Sequence, residues 1–292
     1  MGVFREICLS SPVQEIFVRV ESVELPYRVS PGAREMKQEY KKKSVIVTGA
    51  DNGIGLAMTR ELLSSGRYLV GALDLSDDSL SVLQKDCPER LRICICDVTD
   101  GDAVGAAVES LASEWGRIDI LLNNACLAVF GRFEEKAVND SRREFEVNYW
   151  GAVNLIRAVL PHMKSARKGV IHNVSSGVGI TGFPGIYGYA SSKGALEALT
   201  RTLALELKEF GIVVNLMHPP LTRTRSSSPL GIPEQAMDNP ERVGRRLARK
   251  IGSRRPVITP DFRTGAGLLL SRHFPVFMGR MLAWMTERAR KE

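Results

Sequence analysis

The segment KSVIVTGADNGIGLAMTRELLSSGRYLVGALD, residues 43–74, carries the decision about the fold. Its first part, KSVIVTGA, is a short apolar run of the kind found in a strand buried on both faces. GIGLAMTRELLSSG then has helical character up to Gly66, and RYLVGALD reads as a second strand. The turn TGADNGIG, Thr48 to Gly55, sits between first strand and helix. There Gly49 permits a tight turn, Gly53 lets backbone approach a pyrophosphate, and Gly55 lets the helix pack closely, so phosphates face the N–H groups of the helix start. Asn52 and Ile54, on either side of Gly53, join these glycines as expected cofactor contacts. A glycine cluster alone is often only a turn; at the first strand-to-helix crossover it points to a bound nucleotide.

Asp74 ends the second strand, 19 residues beyond Gly55, close to the offset at which an acidic side chain meets the adenosine ribose hydroxyls. A carboxylate there repels a 2′-phosphate, and neither Asp51 nor Asn52 offers a compensating cation, so NAD is favoured and NADP is not excluded. The competing role for Asp74, with Asp77 and Asp78, is to cap the next helix. Asp97, ending the third strand in CDV, could accept from the adenine amino group or act as a cap.

The same rhythm continues outward. Helices are expected near Ser79–Lys85, Asp102–Trp115, Asp140–Met163 and Tyr189–Phe210, alternating with strands LRICICDV, IDILLNNA, GVIHNVSS and IVVNLMHP. Such alternation implies an α/β, Rossmann-like, doubly wound parallel sheet with helices on both faces. Residues 1–43 follow neither period and read as an N-terminal extension of unknown role, leaving 44–292 as a single domain. A substrate lid is expected over about 225–250, where RSSSPLGIPEQAMDNP is rich in Ser and Pro. The apolar segment 264–286 is expected to be a packed helix, pocket wall or subunit contact.

Composition narrows the class. Of the 292 residues 44% are hydrophobic and 25% charged, ordinary for a globular protein. The net charge of +7 is dispersed among acids, which disfavours a nucleic-acid partner. The basic stretch NPERVGRRLARKIGSRR, 239–255, reads as a basic helix, either phosphate-binding or, as favoured here, a solvated face. Five cysteines form no CxxC pair, and Cys94 and Cys96 alternate as small core side chains, which suits a reducing, cytoplasmic setting. No apolar run is long enough to span a bilayer, and membrane association is not expected. The four histidines are too scattered for a metal site.

The spacing Thr-Gly-x-x-x-Gly-x-Gly is followed in order by CDVTD, LLNNAC, FEVNYWGA, HNVSS, YGYASSK and HPPLTRT. Together these segments, spanning about Ser44 to Thr224, resemble the compact, single-domain branch of the short-chain dehydrogenase/reductase family. The resemblance implies an NAD(P)-dependent oxidoreductase interconverting alcohols and carbonyls. It places Asp97 and Val98 at adenine and Asn124 and Ala125 beside the cofactor ribose. Pro219, Thr222 and Thr224 then lie along the nicotinamide side. Asn148, Ser176, Tyr189 and Lys193 become the catalytic set, with Asn148 holding a water relay to Lys193. Homodimers or homotetramers pairing through the helices of Asn148 and Tyr189 are implied too. Two glycines of the family pattern are replaced, by Cys126 after NNA and by Pro220 after Pro219, and Asp74 falls one residue late.

The chemistry suits these residue types. Tyr189 and Lys193 are four apart, on one helix face, so the ammonium and an oxidised nicotinamide would both favour the phenolate, whose ordinary pKa is near ~10. Lys193 could also donate to the nicotinamide ribose hydroxyls. Ser176 ends a strand at the ligand edge of the sheet and could donate to substrate oxygen, while Ser175 points to the other face. Tyr187 lacks a cation four residues on and is expected in the loop before the helix, as a wall of the substrate pocket. Apolar CLAVFG, ITGFPGI and the tail suggest a lipophilic substrate. The alternative is a regulatory or scaffold protein that binds cofactor without turnover.

Overall fold

The computed structural model describes residues 42–289 except residue 231, all within one compact unit of residues 40–292. The expected extension, 1–43, therefore lies outside the described residues but for its last two. Seven parallel strands form one sheet: β1 (Lys43–Thr48), β2 (Tyr68–Asp74), β3 (Leu91–Ile95), β4 (Ile120–Asn123), β5 (Gly169–Val174), β6 (Ile212–Met217) and β7 (Val257–Ile258). Their order is β3-β2-β1-β4-β5-β6-β7. The chain winds outward in one direction from β1 and in the other from β4, so the C-terminal ends of these two neighbours border the crevice where an open α/β sheet takes its ligand.

Strand periodicity separates two cores. Val45 and Val47 of β1 face one side, against Met58 and Leu62 of α1 (Gly53–Ser64), while Ile46 faces the other. On that second side lie Val108 and Leu111 of α3 (Gly101–Trp115) and Leu155 and Val159 of α5 (Gly151–Ser165). Cys94 and Cys96 share this second cluster as expected, and burial raises both thiol pKa values. The short α2 (Leu80–Asp86) joins β2 to β3, and α4 (Val138–Phe145) precedes α5.

Three expectations change. The single helix expected over Asp140–Met163 is broken by a π-helical turn, Glu146–Trp150, between α4 and α5. It leaves Asn148 buried and turned toward the loop after β4. Tyr187 is not in a loop: it starts α7 (Tyr187–Glu206), which follows the one-turn α6 (Val178–Thr181). The region expected as a lid, 225–250, divides. Two 3-10 turns occupy Ser228–Leu230 and Glu234–Ala236, but α8 (Pro240–Ala248) buries Val243, Leu247 and Ala248 against α1. The basic stretch keeps its solvated role, with Arg249 paired to Glu61 at 2.9 Å and Arg246 to Asp261 at 2.9 Å. Beyond β7 the apolar segment forms α9 (Phe262–His273) and α10 (Pro275–Ala289).

Candidate active site

A cavity of about 1210 Å³ runs along the C-terminal edge of the sheet. It exceeds the roughly 300–1,000 Å³ of a single small-molecule pocket, leaving room for a dinucleotide and a second molecule. One end is the glycine loop. Gly49 and Gly53 have φ of +62° and +54°, conformations that an L side chain rarely adopts. A Cβ on Gly49 would lie 2.8 Å from Cα of Ala125, and one on Gly55 would lie 1.9 Å from the Gly49 carbonyl oxygen. Gly55 does not line the cavity; its role is the close packing under the loop. Asn52 precedes α1 in an extended conformation without a side-chain capping bond and, with Ile54, lines the cavity.

The loop is latched to the end of β4. The Asn124 side-chain amide donates to the carbonyls of Thr48 and Gly49, both at 3.0 Å, and the Asn124 and Ala125 N–H groups donate to Thr48 Oγ1. Asn124 is thus engaged by protein backbone, and Thr48, which the sequence did not single out, is the other half of the latch.

At the far end of this half, Asp74 accepts from the N–H of Asp51 at 2.8 Å and of Leu75 at 2.7 Å, one on each carboxylate oxygen. Spare lone pairs remain on both oxygens. Asp51, not Asp74, caps α2, accepting from the N–H groups of Ser79 and Leu80. Asp97 accepts from the Thr99 N–H and hydroxyl, a local turn that still leaves it on the cavity wall. Asp51, Asp74, Asp78 and Asp97 thus line the cavity, as does Val98.

The other wall carries the proposed chemistry. Ser176, Tyr189 and Lys193 line the same cavity as the glycine loop. Ser175 also borders the cavity, but its hydroxyl is engaged, donating to Glu197 at 3.2 Å. Lys193 is 2% exposed; its ammonium donates to the Val174 carbonyl at 2.8 Å and lies 5.7 Å from the centre of the Tyr189 ring. Burial lowers its pKa. Tyr189 moves the other way: burial first, then Cys126, pushes the phenol pKa up, against a hydrogen bond with Ser176 that pulls it down. The depression of the Tyr189 pKa expected from Lys193 is therefore not a property of the protein alone.

Asn148 lies behind this wall rather than in it. Its Oδ1 accepts from the Leu127 N–H at 2.7 Å, and its amide donates to the Leu127 carbonyl at 2.8 Å and to Ser192 Oγ at 2.9 Å. A separate cavity of about 10 Å³, about the space of one water, lies between Asn148 and Lys193.

Pro219, Thr222 and Thr224 follow β6 along the cavity, with the Thr222 hydroxyl donating to the Pro220 carbonyl at 2.8 Å. Cys126 is exposed on the wall, where its Cβ is accommodated. Tyr187 departs from its expected place. Its ring stacks on Phe133 at 4.9 Å and lies under the Lys136 ammonium at 5.0 Å, and it does not line the cavity. Lys136 pairs with Glu144 in a buried ion pair, and a Cβ on Gly188 would strike that carboxylate. A second group surrounds the buried Glu197: the buried His218 at 3.4 Å, with the exposed Arg201 at 3.2 Å and Arg272 at 3.9 Å. Burial, Arg272 and Lys193 hold His218 neutral, with a pKa of about 3.

A sequence profile of the short chain dehydrogenase family matches residues 43–234, from β1 to the start of the second 3-10 turn. The chain belongs to this family. The 3-oxoacyl-(acyl-carrier-protein) reductase FabG of Thermotoga maritima is 36% identical over 202 residues, 67% of this short-chain dehydrogenase and 80% of the relative. The 3-ketodihydrosphingosine reductase of Bacteroides thetaiotaomicron is 34% identical over 175 residues, 60% of this chain and 62% of its own length. Among solved structures, a short-chain dehydrogenase of Streptomyces avermitilis superposes with a TM-score of 0.69 at 26% identity, covering 86% of this chain and 99% of its own. ElxO with NADP bound shares the fold at 24% identity and a TM-score of 0.66, over 75% of this chain and 97% of its own.

Proposed function

We propose that this short-chain dehydrogenase interconverts a secondary alcohol and a carbonyl by hydride transfer, with NAD as cofactor. The observation that carries the reading is that Ser176, Tyr189 and Lys193 share one cavity with the positive-φ glycine loop. That loop is a cradle that a Cβ would fill, and it opens on the start of α1, so the residues fit a dinucleotide. Four aspartates and no Lys or Arg side chain among Asp51, Asn52, Asp74, Leu75, Ser76, Asp78, Ser79, Asp97 and Thr99 favour NAD over its 2′-phosphorylated form. When bound, the nicotinamide supplies the hydride donor or acceptor.

The rest is done by the chain. The Ser176 hydroxyl donates to the substrate oxygen and stabilises charge on it. Tyr189 exchanges the proton with that oxygen: as acid in reduction, as base in oxidation. Lys193 holds its cation beside the phenol and supports the tyrosinate, and the water-sized cavity toward Asn148 gives a route for proton return. Asn148 itself fixes the Cys126–Leu127 loop, so it is a positioning residue here. The substrate proposed is lipophilic or amphipathic, since Phe130, Phe183, Ile186, Leu268, Met278 and Leu282 line the end away from the glycine loop. The names of the sphingosine and acyl-carrier relatives agree with such a substrate. Exposed Trp150 and Leu205, on the elements expected to pair subunits, support a homodimer or homotetramer.

The test is Tyr189→Phe. The variant is expected to bind NADH as the wild type does, read by cofactor fluorescence, while kcat over a panel of alcohols falls about 10³-fold. Full turnover would sink the mechanism, and wild-type binding without turnover on any substrate would give the regulatory reading instead.

A further inference from the structure

The helices that close the substrate end of the cavity have a second face. α9 turns Leu268 and Ser271 inward, and α10 turns Met278 and Leu282 inward. Gly279 lets α10 approach α6, since a Cβ there would lie 2.7 Å from the Thr181 carbonyl oxygen. The helical period then sends the intervening residues outward. Leu269, Leu270, Phe274, Phe277 and Trp284 are each 51–66% exposed, and Phe262 is 87% exposed. Half of the large apolar side chains left exposed among the described residues fall between Phe262 and Met285. A concentration of this kind on one surface marks an interaction site.

The charges on the two helices identify the partner. Arg263, Arg280 and Arg288, with His273, share these helices with a single acid, Glu287, while Arg272 turns inward to Glu197. Arg263, Arg280 and Arg288 are exposed, and the Arg288 guanidinium lies 5.8 Å above the Trp284 ring. We propose that this face docks on an anionic lipid bilayer, with α9 and α10 in the headgroup plane and Phe277 and Trp284 inserted below it. Apolar and aromatic side chains flanked by arginines are the composition of an interfacial helix. A second copy of the chain fits less well, because a two-fold contact through this patch would set arginines against arginines. No helix among the described residues is long and apolar enough to cross a membrane. The association is peripheral, and it replaces the expectation that membranes play no part. α9 and α10 then form the partition between bilayer and cavity, so a lipophilic substrate reaches Tyr189 by passing beside them. That last step rests on the oxidoreductase reading; the docking does not.

The full chain is to be sedimented with vesicles of phosphatidylcholine alone and with phosphatidylglycerol added. Partition onto the anionic vesicles is expected to fall about tenfold at high salt and in Arg280→Glu/Arg288→Glu, and by a similar factor in Phe277→Ser/Trp284→Ser. All variants should keep wild-type turnover of a water-soluble alcohol and the wild-type melting midpoint. Equal partition onto both vesicle types, or variants that bind as the wild type does, would overturn the proposal. So would a wild type that ignores vesicles but loses mass in light scattering on Phe277→Ser/Trp284→Ser, which would assign the face to a second copy. Vesicle binding with no turnover on any substrate would count against the catalytic reading and leave the docking intact.

Discussion

The two ends of the cavity are held by different forces. At the cofactor end, hydrogen bonds to backbone fix every turn: Asn124 bolts the Thr48 and Gly49 carbonyls, Asp74 takes the Asp51 N–H, and Asp51 caps α2. At the substrate end, apolar side chains from α9, α10 and the loop before α7 make the wall by contact. Directional bonds and missing Cβ atoms tolerate almost no change, whereas apolar packing accepts many side chains of suitable volume. The first end therefore has little freedom to change, and the second can change its lining without loss of the fold.

The harshest way to break the contrast is Gly55→Ala. Its Cβ would meet the Gly49 carbonyl at 1.9 Å, so a loss of about 3 kcal/mol in urea unfolding and of measurable NAD binding is expected. Retained cofactor affinity would show that the loop is softer than its latch implies.

Acid tests the scaffold beneath both ends. His172, fully buried in β5, lies with Nδ1 2.5 Å from Asn215 Oδ1 and accepts at Nε2 from the Gly252 N–H, and burial lowers its pKa from 6.5 to about 4. Between these values the unfolded chain binds a proton that the folded chain refuses. The stabilisation is whole above pH 6.5 and lost as the pH falls toward 4, on the order of 3 kcal/mol from His172. His218 acts in the same direction. Urea midpoints measured from pH 7 to pH 4.5 should fall, and a flat profile would mean that these imidazoles accept charge in the fold.

Asp74→Ala should weaken NAD about tenfold and narrow its advantage over NADP, measured as the ratio of the two dissociation constants. An unchanged ratio would move cofactor choice to another residue. The smallest effect belongs to the apolar end. Leu282→Ala should raise KM for a long-chain alcohol about fivefold while leaving KM for a short one and NAD affinity alone. Equal changes for both alcohols would place Leu282 outside the substrate path.

What the sequence made legible follows the same division. The glycine loop, the strand-end Ser176 and the Tyr189–Lys193 pair depend on short-range spacing, and the structure gathers them on one cavity. Asn148 by itself would have read as a structural helix residue; its bonds to Leu127 and Ser192 depend on a π-helical turn that no hydrophobic period announces. Asp51, Lys136, Glu144 and Glu197 act through partners far away in the chain or on another element, where spacing is silent. The reach of the expected lid past Asn239 fails against the buried stripe Val243, Leu247 and Ala248, which the polar residues between them hide in the sequence. Tyr187 was misplaced because its partner, Phe133, belongs to a loop without a pattern.

One consequence of the Thr48 latch concerns the timescale of opening. The N–H groups of Asn124 and Ala125 belong to a loop, where amides usually exchange with solvent within moments. Here both end on Thr48 Oγ1, 3.0 Å away, on a residue only 2% exposed at the end of the central strand. To release them the buried Thr48 hydroxyl must rotate away or the loop must lift from the end of β1. This piece of the loop after β4 should therefore hold its protons longer than the exposed loops around it.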